Sequence, residues 1–223
     1  MTQGSDGKGA PQPVVSKNAV VAARNREAFR KLGLFTVNLI GSPGAGKTAL
    51  LERTAKELSC KMAVIEGDIK TTFDSERIRA AGVEAVQIET GGACHLDAAM
   101  VEKAASEINL KALDILFIEN VGNLVCPSSV DLGEDAKIAL ISVPEGDEKP
   151  AKYPALFVRA AAVVINKIDL LPYTDYSIER ASGDCRKLNA GVEIFPLSAK
   201  TGEGFAAWIH WLKNGHDKAR RQR

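Results

Sequence analysis

Apolar residues along this chain fall into short runs separated by longer segments of mixed polarity. Seven runs stand out: Phe35 to Ile40, Met62 to Ile65, Ala85 to Ile88, Ile115 to Ile118, Ile138 to Val143, Ala162 to Ile165 and Glu193 to Leu197. Each has the length of a strand. Between them, Ala49 to Leu58, Ser75 to Ala81, Leu96 to Ile108, Tyr176 to Leu188 and Gly204 to Leu212 have helical length and spacing. This βαβ alternation predicts a three-layer α/β fold, with a mainly parallel sheet of about seven strands flanked by helices. Ahead of it, Val14-Val15, Ala19-Val20, Ala22-Ala23 and Ala28-Phe29 interleave with Lys17, Arg24, Arg26, Glu27, Arg30 and Lys31. That pattern predicts a leading amphipathic helix ended near Gly33. No internal repeat is visible.

Composition narrows the class. With 223 residues, 45% hydrophobic and 26% charged, the chain can bury one sizeable core, and a second domain is not required. The expected organisation is a polar, Gly/Ser-rich tail over 1–13, a single domain over 14–215 and a basic tail over 216–223. A net charge of +1 supplies no general field for nucleic acid, and 5% aromatic residues offer no stacking platform. No apolar run approaches the ~20 residues that cross a bilayer. The first residues have no apolar core of a secretory signal, so the expected location is the cytoplasm. There Cys60, Cys94, Cys126 and Cys185 would remain thiols.

The strongest local signal is Gly41-Ser42-Pro43-Gly44-Ala45-Gly46-Lys47-Thr48, directly after Phe35 to Ile40 and before Ala49-Leu50-Leu51. Strand, glycine-rich loop and helix follow in the order a phosphate-binding loop requires, which points to a P-loop NTPase fold. Glycines let backbone N–H groups approach phosphate oxygens, and the helix start adds its positive dipole end. On this reading residues Gly41 through Ala49 cradle the phosphates. Lys47 reaches the β and γ phosphates, and the Thr48 hydroxyl holds Mg²⁺.

Asn166-Lys167-Ile168-Asp169 follows the run Ala162 to Ile165 and has the arrangement of a guanine reader. Asp169 can accept from both the ring N–H and the exocyclic amine of guanine, a donor pair that adenine lacks, while the Lys167 stem lies along the base. Ser198-Ala199-Lys200 would place a backbone N–H on the guanine carbonyl. For the metal and the chemistry, three carboxylates lie at or near strand ends: Asp68, Asp74 and Glu119. Mg²⁺ needs only one or two carboxylates beside Thr48 and the phosphates, and Glu119 and Asp68 are the better placed. Asp74 either positions the attacking water, holds the metal through water, or caps the helix starting at Ser75. Lys47, Asp68 and Asp74 are thus the catalytic candidates. No arginine finger is evident, so hydrolysis is expected to be slow unaided.

Cys94-His95 and Cys126 lie on loops after separate strands, and thiolate plus imidazole suits Zn²⁺ or Ni²⁺ better than Mg²⁺. Three ligands leave a tetrahedral site open, so a fourth would come from water or a second subunit. Cys126 lies only seven positions past Glu119. One segment therefore carries both a potential Mg²⁺ ligand and a potential soft-metal ligand.

These motifs, with Glu66-Gly67-Asp68, Phe73-Asp74-Ser75-Glu76-Arg77, Cys94-His95-Leu96-Asp97-Ala98, Phe117-Ile118-Glu119-Asn120-Val121-Gly122-Asn123-Leu124-Val125-Cys126-Pro127 and Pro144-Glu145-Gly146-Asp147, resemble the HypB family of hydrogenase nickel-incorporation GTPases, in the SIMIBI class. The resemblance runs from about Val14 to Leu212. It implies a metallochaperone in which GTP drives homodimerisation and the residues matching Cys94, His95 and Cys126 bind nickel or zinc at the interface. Hydrolysis would accompany nickel transfer toward the [NiFe] hydrogenase large subunit, with a small zinc-containing partner protein. It also implies that Glu145 to Tyr153 belongs to the dimer surface, with Lys152 reaching the other subunit's base. Unlike many relatives, this sequence has no cysteine before Cys60, and its histidines are His95, His210 and His216. His210 and His216 read as surface or tail residues, and Cys60 and Cys185 as packing thiols. Two other readings remain open: a related GTPase serving urease or an organic-cofactor enzyme, and a binding module holding GTP as a structural ligand.

Overall fold

The structure, a computed structural model, describes residues 16–68 and 73–223; the side chains of residues 68 and 73 fall outside that description. The expected N-terminal tail and Val14-Val15 also lie outside the described residues. Seven strands, β1 (Phe35–Gly41), β2 (Met62–Asp68), β3 (Glu84–Glu89), β4 (Ile115–Glu119), β5 (Ala136–Ser142), β6 (Ala162–Asn166) and β7 (Glu193–Pro196), form one sheet in the order β3-β2-β4-β1-β5-β6-β7. Every pairing is parallel. The predicted three-layer α/β architecture is the one observed.

Helices α1 (Lys17–Leu32), α2 (Lys47–Glu57), α3 (Phe73–Ala80), α4 (Ala98–Ala105), α5 (Lys149–Lys152), α6 (Pro154–Arg159), α7 (Ile178–Leu188) and α8 (Phe205–Arg221) cover the sheet. Strand side chains alternate between its faces, which explains why central strands are apolar throughout. Val37 and Leu39 of β1 pack with Leu50 and Leu51 of α2 and Trp208 and Leu212 of α8. On the other face, Ile65, Leu116 and Ile118 meet Phe29 of α1 and Val101 and Ala104 of α4. Ile141, Val163 and Ile165 meet Leu156 and Phe157 of α6 and Ala181 of α7. Each buried Val, Leu, Ile or Phe among these contributes about 2 kcal/mol relative to exposure.

Helix α1 ends where predicted: Gly33 takes φ 70° and its N–H returns to the Arg30 and Phe29 carbonyls. Helix α4 is shorter than expected, because Asp97 caps it by accepting from the Met100 N–H at 2.8 Å. Helix α8 runs on to Arg221 instead of ending near Leu212, and His216 is buried rather than on a surface or tail. The extension is held by aromatic packing. Phe35 meets Trp211 edge-on at 5.8 Å, and a Cβ on Gly215 would come within 2.4 Å of the Phe35 ring. Short α5 and α6 lie between Lys149 and Arg159, a stretch that periodicity left without elements.

Candidate functional site

The chain order of the strands reverses around β1, and ligands of open parallel sheets sit at the carboxyl edge beside such a reversal. The phosphate loop leaves β1 there. A cleft of about 440 Å³ is lined by Pro43 to Ala49, Glu66, Gly67, Asp74, Arg77, Glu119 to Gly122 and Lys167, Ala45 excepted. Gly46 caps α2 with φ 95°, and a Cβ at this position would stand 2.5 Å from Asn166 Nδ2. Only glycine fits that turn. Lys47 is almost wholly buried, its Nζ turned toward the Gly41 and Ser42 carbonyls at 3.4 and 3.5 Å. These long contacts are weak, so the ammonium is available to a stronger anionic acceptor.

Register brings Glu119 at the end of β4 beside Leu39 of β1 and Glu66 of β2. The Thr48 hydroxyl donates to Glu119 Oε1 at 3.0 Å, while Glu119 Oε2 is buried and without a hydrogen-bond partner among the described residues. Burial pushes the Glu119 carboxyl up to about 7, opposed by the nearby Lys47 ammonium and the Thr48 hydrogen bond. An orphaned carboxylate oxygen next to a threonine hydroxyl suits a hard cation that takes oxygen ligands. The Mg²⁺ expected from sequence therefore fits the residues present. Asp74 lies in the first turn of α3, facing the cleft, with Arg77 Nη1 at 3.4 Å. Arg77 also pairs with Glu52 at 2.7 Å. Asp68 closes β2 at the same edge, but its side chain lies outside the described residues.

A second hollow of about 280 Å³ continues past Gly46 and Ala49 to Asn166, Lys167, Asp169, Leu170, Ala199 and Lys200. Its walls are tied to the phosphate loop. Asn166 Nδ2 donates to the Ala45 carbonyl at 3.0 Å, Lys167 Nζ to the Gly44 carbonyl at 2.6 Å, and the Ala199 N–H to Asn166 Oδ1 at 3.1 Å. Ser198 Oγ donates to Asp169 Oδ1 at 2.5 Å, which fixes that carboxylate at the wall of the hollow. Lys167 has φ 63°, the one non-glycine residue with positive φ among those described. Such strain persists only where the surroundings over-determine it.

Donor atoms of Cys94, His95 and Cys126 all lie within 4.8 Å of one another, with Cys94 Sγ 3.4 Å from His95 Nδ1. The neighbouring Cys126 thiol, through a hydrogen bond, raises the Cys94 thiol above its ordinary value. A soft cation would reverse that preference, since it binds thiolates. The cluster is at the surface beside exposed Val125. It is also joined to the nucleotide edge. Buried Asn120, next to Glu119, accepts from the Leu96 N–H at 3.2 Å and donates to Asn38 Oδ1 at 3.2 Å. Asn123 Nδ2 donates to the Cys94 carbonyl at 3.3 Å, and a Cβ on Gly122 would come within 2.8 Å of Pro43.

Glu66, Arg77 and Asn120, quoted in the sequence only as members of motifs and given no role there, also line the cleft. Glu66 and Asn120 stand at strand ends, a signal that was available. Arg77 joins the cleft through its pairing with Asp74 and Glu52, contacts that chain order does not reveal. Lys152 is exposed and pairs with Glu148 at 2.6 Å, away from both hollows of its own chain.

A glycine-rich loop leaving the central strand of an open parallel sheet into a helix, with Lys47 and Thr48 at its end, defines a P-loop NTPase. The model of the CobW/HypB/UreG nucleotide-binding domain matches residues 35–196, and the chain belongs to this family. It is 48% identical over 204 residues to a hydrogenase maturation factor HypB of Azotobacter vinelandii, covering 91% of this chain and 67% of that relative. A hydrogenase/urease maturation factor HypB of Helicobacter pylori is 45% identical over 90% of this chain and 85% of its own. The crystal structure of HypB from Helicobacter pylori in complex with nickel superposes with a TM-score of 0.88 at 42% identity, covering 91% of this chain and 96% of that one. No helix of the described residues is long and apolar enough to cross a membrane.

Proposed function

We propose that this protein is a GTP-hydrolysing nickel chaperone of [NiFe] hydrogenase maturation, in which nucleotide occupancy controls capture and release of the metal. One observation carries the reading: β4 delivers Glu119 to Thr48 and continues, within seven residues, to a Cys126 that converges with Cys94 and His95. In this account Gly41 to Ala49 wrap the phosphates, and Lys47 leaves the Gly41 and Ser42 carbonyls for the β and γ oxygens. Asp169 reads guanine, its geometry set by Ser198, while Ala199 and Lys200 border the base. Thr48 and Glu119, with Asp68, hold Mg²⁺, which supplies positive charge at the β and γ phosphates. Asp74 orients the attacking water, and Arg77 holds Asp74 in place.

Charge at the phosphates is transmitted by contact. Movement of Pro43 presses Gly122, and Asn120 carries Glu119 and Leu96 together, so the Cys94–His95 loop follows the phosphate edge. The exposed three-ligand cluster and the apolar Val125 support GTP-dependent homodimerisation, with the fourth ligand from the partner or water and Lys152 reaching the partner's base. Ni²⁺ is the cargo, and Zn²⁺ competes for the same donors. The remaining partners are a small zinc-containing protein and the hydrogenase large subunit, met in the cytoplasm. Hydrolysis is slow until that assembly forms. The likeness to a hydrogenase/urease maturation factor of Helicobacter pylori favours a second reading, in which the same switch also serves urease. Equilibrium dialysis with Ni²⁺ on wild type, Cys94→Ala and Cys126→Ala tests the proposal: binding should fall in both variants, and binding that survives both contradicts it.

A further inference from the structure

The edge of the sheet opposite the phosphates holds another convergence of soft and hard donors. Cys60 lies in the turn before β2, Asp114 immediately precedes β4, and His216 comes from the last turns of α8. A ligand atom from each lies within 4.8 Å of the other two. The backbone there is fixed: the Phe35 N–H donates to the Asp114 carbonyl at 3.0 Å, and the Asp114 N–H to the Lys61 carbonyl at 2.9 Å. The Lys61 N–H in turn donates to Asp114 Oδ2 at 2.9 Å, leaving Oδ1 to face His216.

The histidine tautomer follows from its partners. His216 Nδ1 is 3.2 Å from the Asp114 carbonyl, which can only accept, so Nδ1 carries the hydrogen. Nε2 is then the nitrogen open to ligation, and it lies 3.5 Å from Asp114 Oδ1. Metal-binding histidines commonly have this arrangement, with the second nitrogen donating to a backbone carbonyl. The distance also fits. A tetrahedral Zn²⁺ with ordinary Zn–N and Zn–O bonds separates its nitrogen and oxygen ligands by about 3.4 Å.

We propose that Cys60, Asp114 and His216 form a second site for a borderline-soft divalent cation of the Zn²⁺ type, distinct from the Cys94–His95–Cys126 cluster and independent of the nucleotide. A water completes the tetrahedron. The Cys60 thiol, half-buried and raised by that burial and by Asp114, loses its proton to solvent as the cation binds. Lys213 and Asp217 also face the thiol, with opposite charges that offset one another. Bound cation would join the β2 and β4 turns to the end of α8, clamping the helix that sequence periodicity did not extend.

The test uses the full chain carrying Cys94→Ala and Cys126→Ala, titrated anaerobically with Co²⁺ as a spectroscopic stand-in for Zn²⁺. A single equivalent should bind with a thiolate-to-cobalt charge-transfer band and four-coordinate d–d absorption. Adding Cys60→Ser should abolish the charge-transfer band, and adding His216→Gln instead should weaken binding at least tenfold. Far-ultraviolet circular dichroism checks that each variant is folded. Absence of thiolate-bound Co²⁺ in the parent, or a band unchanged by Cys60→Ser, overturns the proposal. In wild type, Zn²⁺ should slow alkylation of Cys60, mapped by mass spectrometry; an unchanged rate overturns it without reliance on any variant.

Discussion

Replacing Glu119 by Gln isolates the electrostatic cost of the buried carboxylate. Burial raises its folded-state value from an ordinary 4.5 to about 7. A raised carboxyl favours the folded state below the unfolded value and loses that contribution as pH rises through the folded one. The difference corresponds to on the order of 3 kcal/mol of apoprotein stability, present below about pH 4.5 and lost by about pH 8. Glutamine cannot ionise, so Glu119→Gln escapes this loss. It retains an acceptor for the Thr48 hydroxyl but places an amide N–H₂ where Oε2 has no partner, a pH-independent cost of about 1–3 kcal/mol. The quantity to read is therefore the slope. Urea unfolding in EDTA without nucleotide, from pH 5 to 8, should show the variant gaining on wild type by a few kcal/mol, most of it by pH 7. Adding Mg²⁺ and a GTP analogue at pH 8 should shift the difference back toward wild type, since the ligand stabilises wild type more. Parallel pH profiles for the two proteins would refute the reasoning.

Other consequences are equally direct. Asp169→Asn replaces an acceptor of two guanine N–H groups and should weaken GTP binding by about 100-fold, roughly 3 kcal/mol, by fluorescence titration with a labelled nucleotide; unchanged affinity would remove Asp169 from the base site. Gly46→Ala forces a Cβ against Asn166 at a φ of 95° and should lower stability by about 1–3 kcal/mol in urea unfolding while abolishing nucleotide binding; wild-type stability would contradict the tight turn. Because a thiolate ligand must lose its proton and Cys126 makes that harder for Cys94, Ni²⁺ or Zn²⁺ affinity at this cluster should fall as the pH is lowered, by about tenfold per unit for each thiol that must ionise, measured by competition with a chelator. A pH-independent affinity would mean that Cys94 is not a thiolate ligand. With a non-hydrolysable GTP analogue, light scattering should report twice the monomer mass, and an unchanged mass would count against dimerisation.

What was legible in the sequence follows from how local the chemistry is. The phosphate loop and Asn166 to Asp169 are contiguous because one loop must present several groups to one ligand, and the strands reveal themselves because two-sided burial leaves short apolar runs. Helix α8 was cut short because Asn214, Gly215 and the charged residues after them weaken the pattern. Its continuation depends on Phe35 packing against Gly215, a contact invisible along the chain. Likewise, α5 and α6 are brief and begin around Pro150 and Pro154, below the length at which periodicity can be read. Cys60, Asp114 and His216 are far apart in sequence and meet only through strand order and the docking of α8. The Cys94–His95–Cys126 convergence, by contrast, was anticipated because both segments follow strands of one sheet edge.

Along that edge Gly122 lies too close to Pro43 to admit a Cβ, and Asn120 links Glu119 to the Cys94–His95 loop. Coupling between two ligands is reciprocal, so nucleotide state must appear in metal affinity. The decisive measurement is Ni²⁺ affinity of the full chain with Mg²⁺ and either GDP or a non-hydrolysable GTP analogue. The dissociation constants should differ by at least fivefold between the two states, with the difference gone in Cys126→Ala. Equal affinity in both states would contradict that coupling.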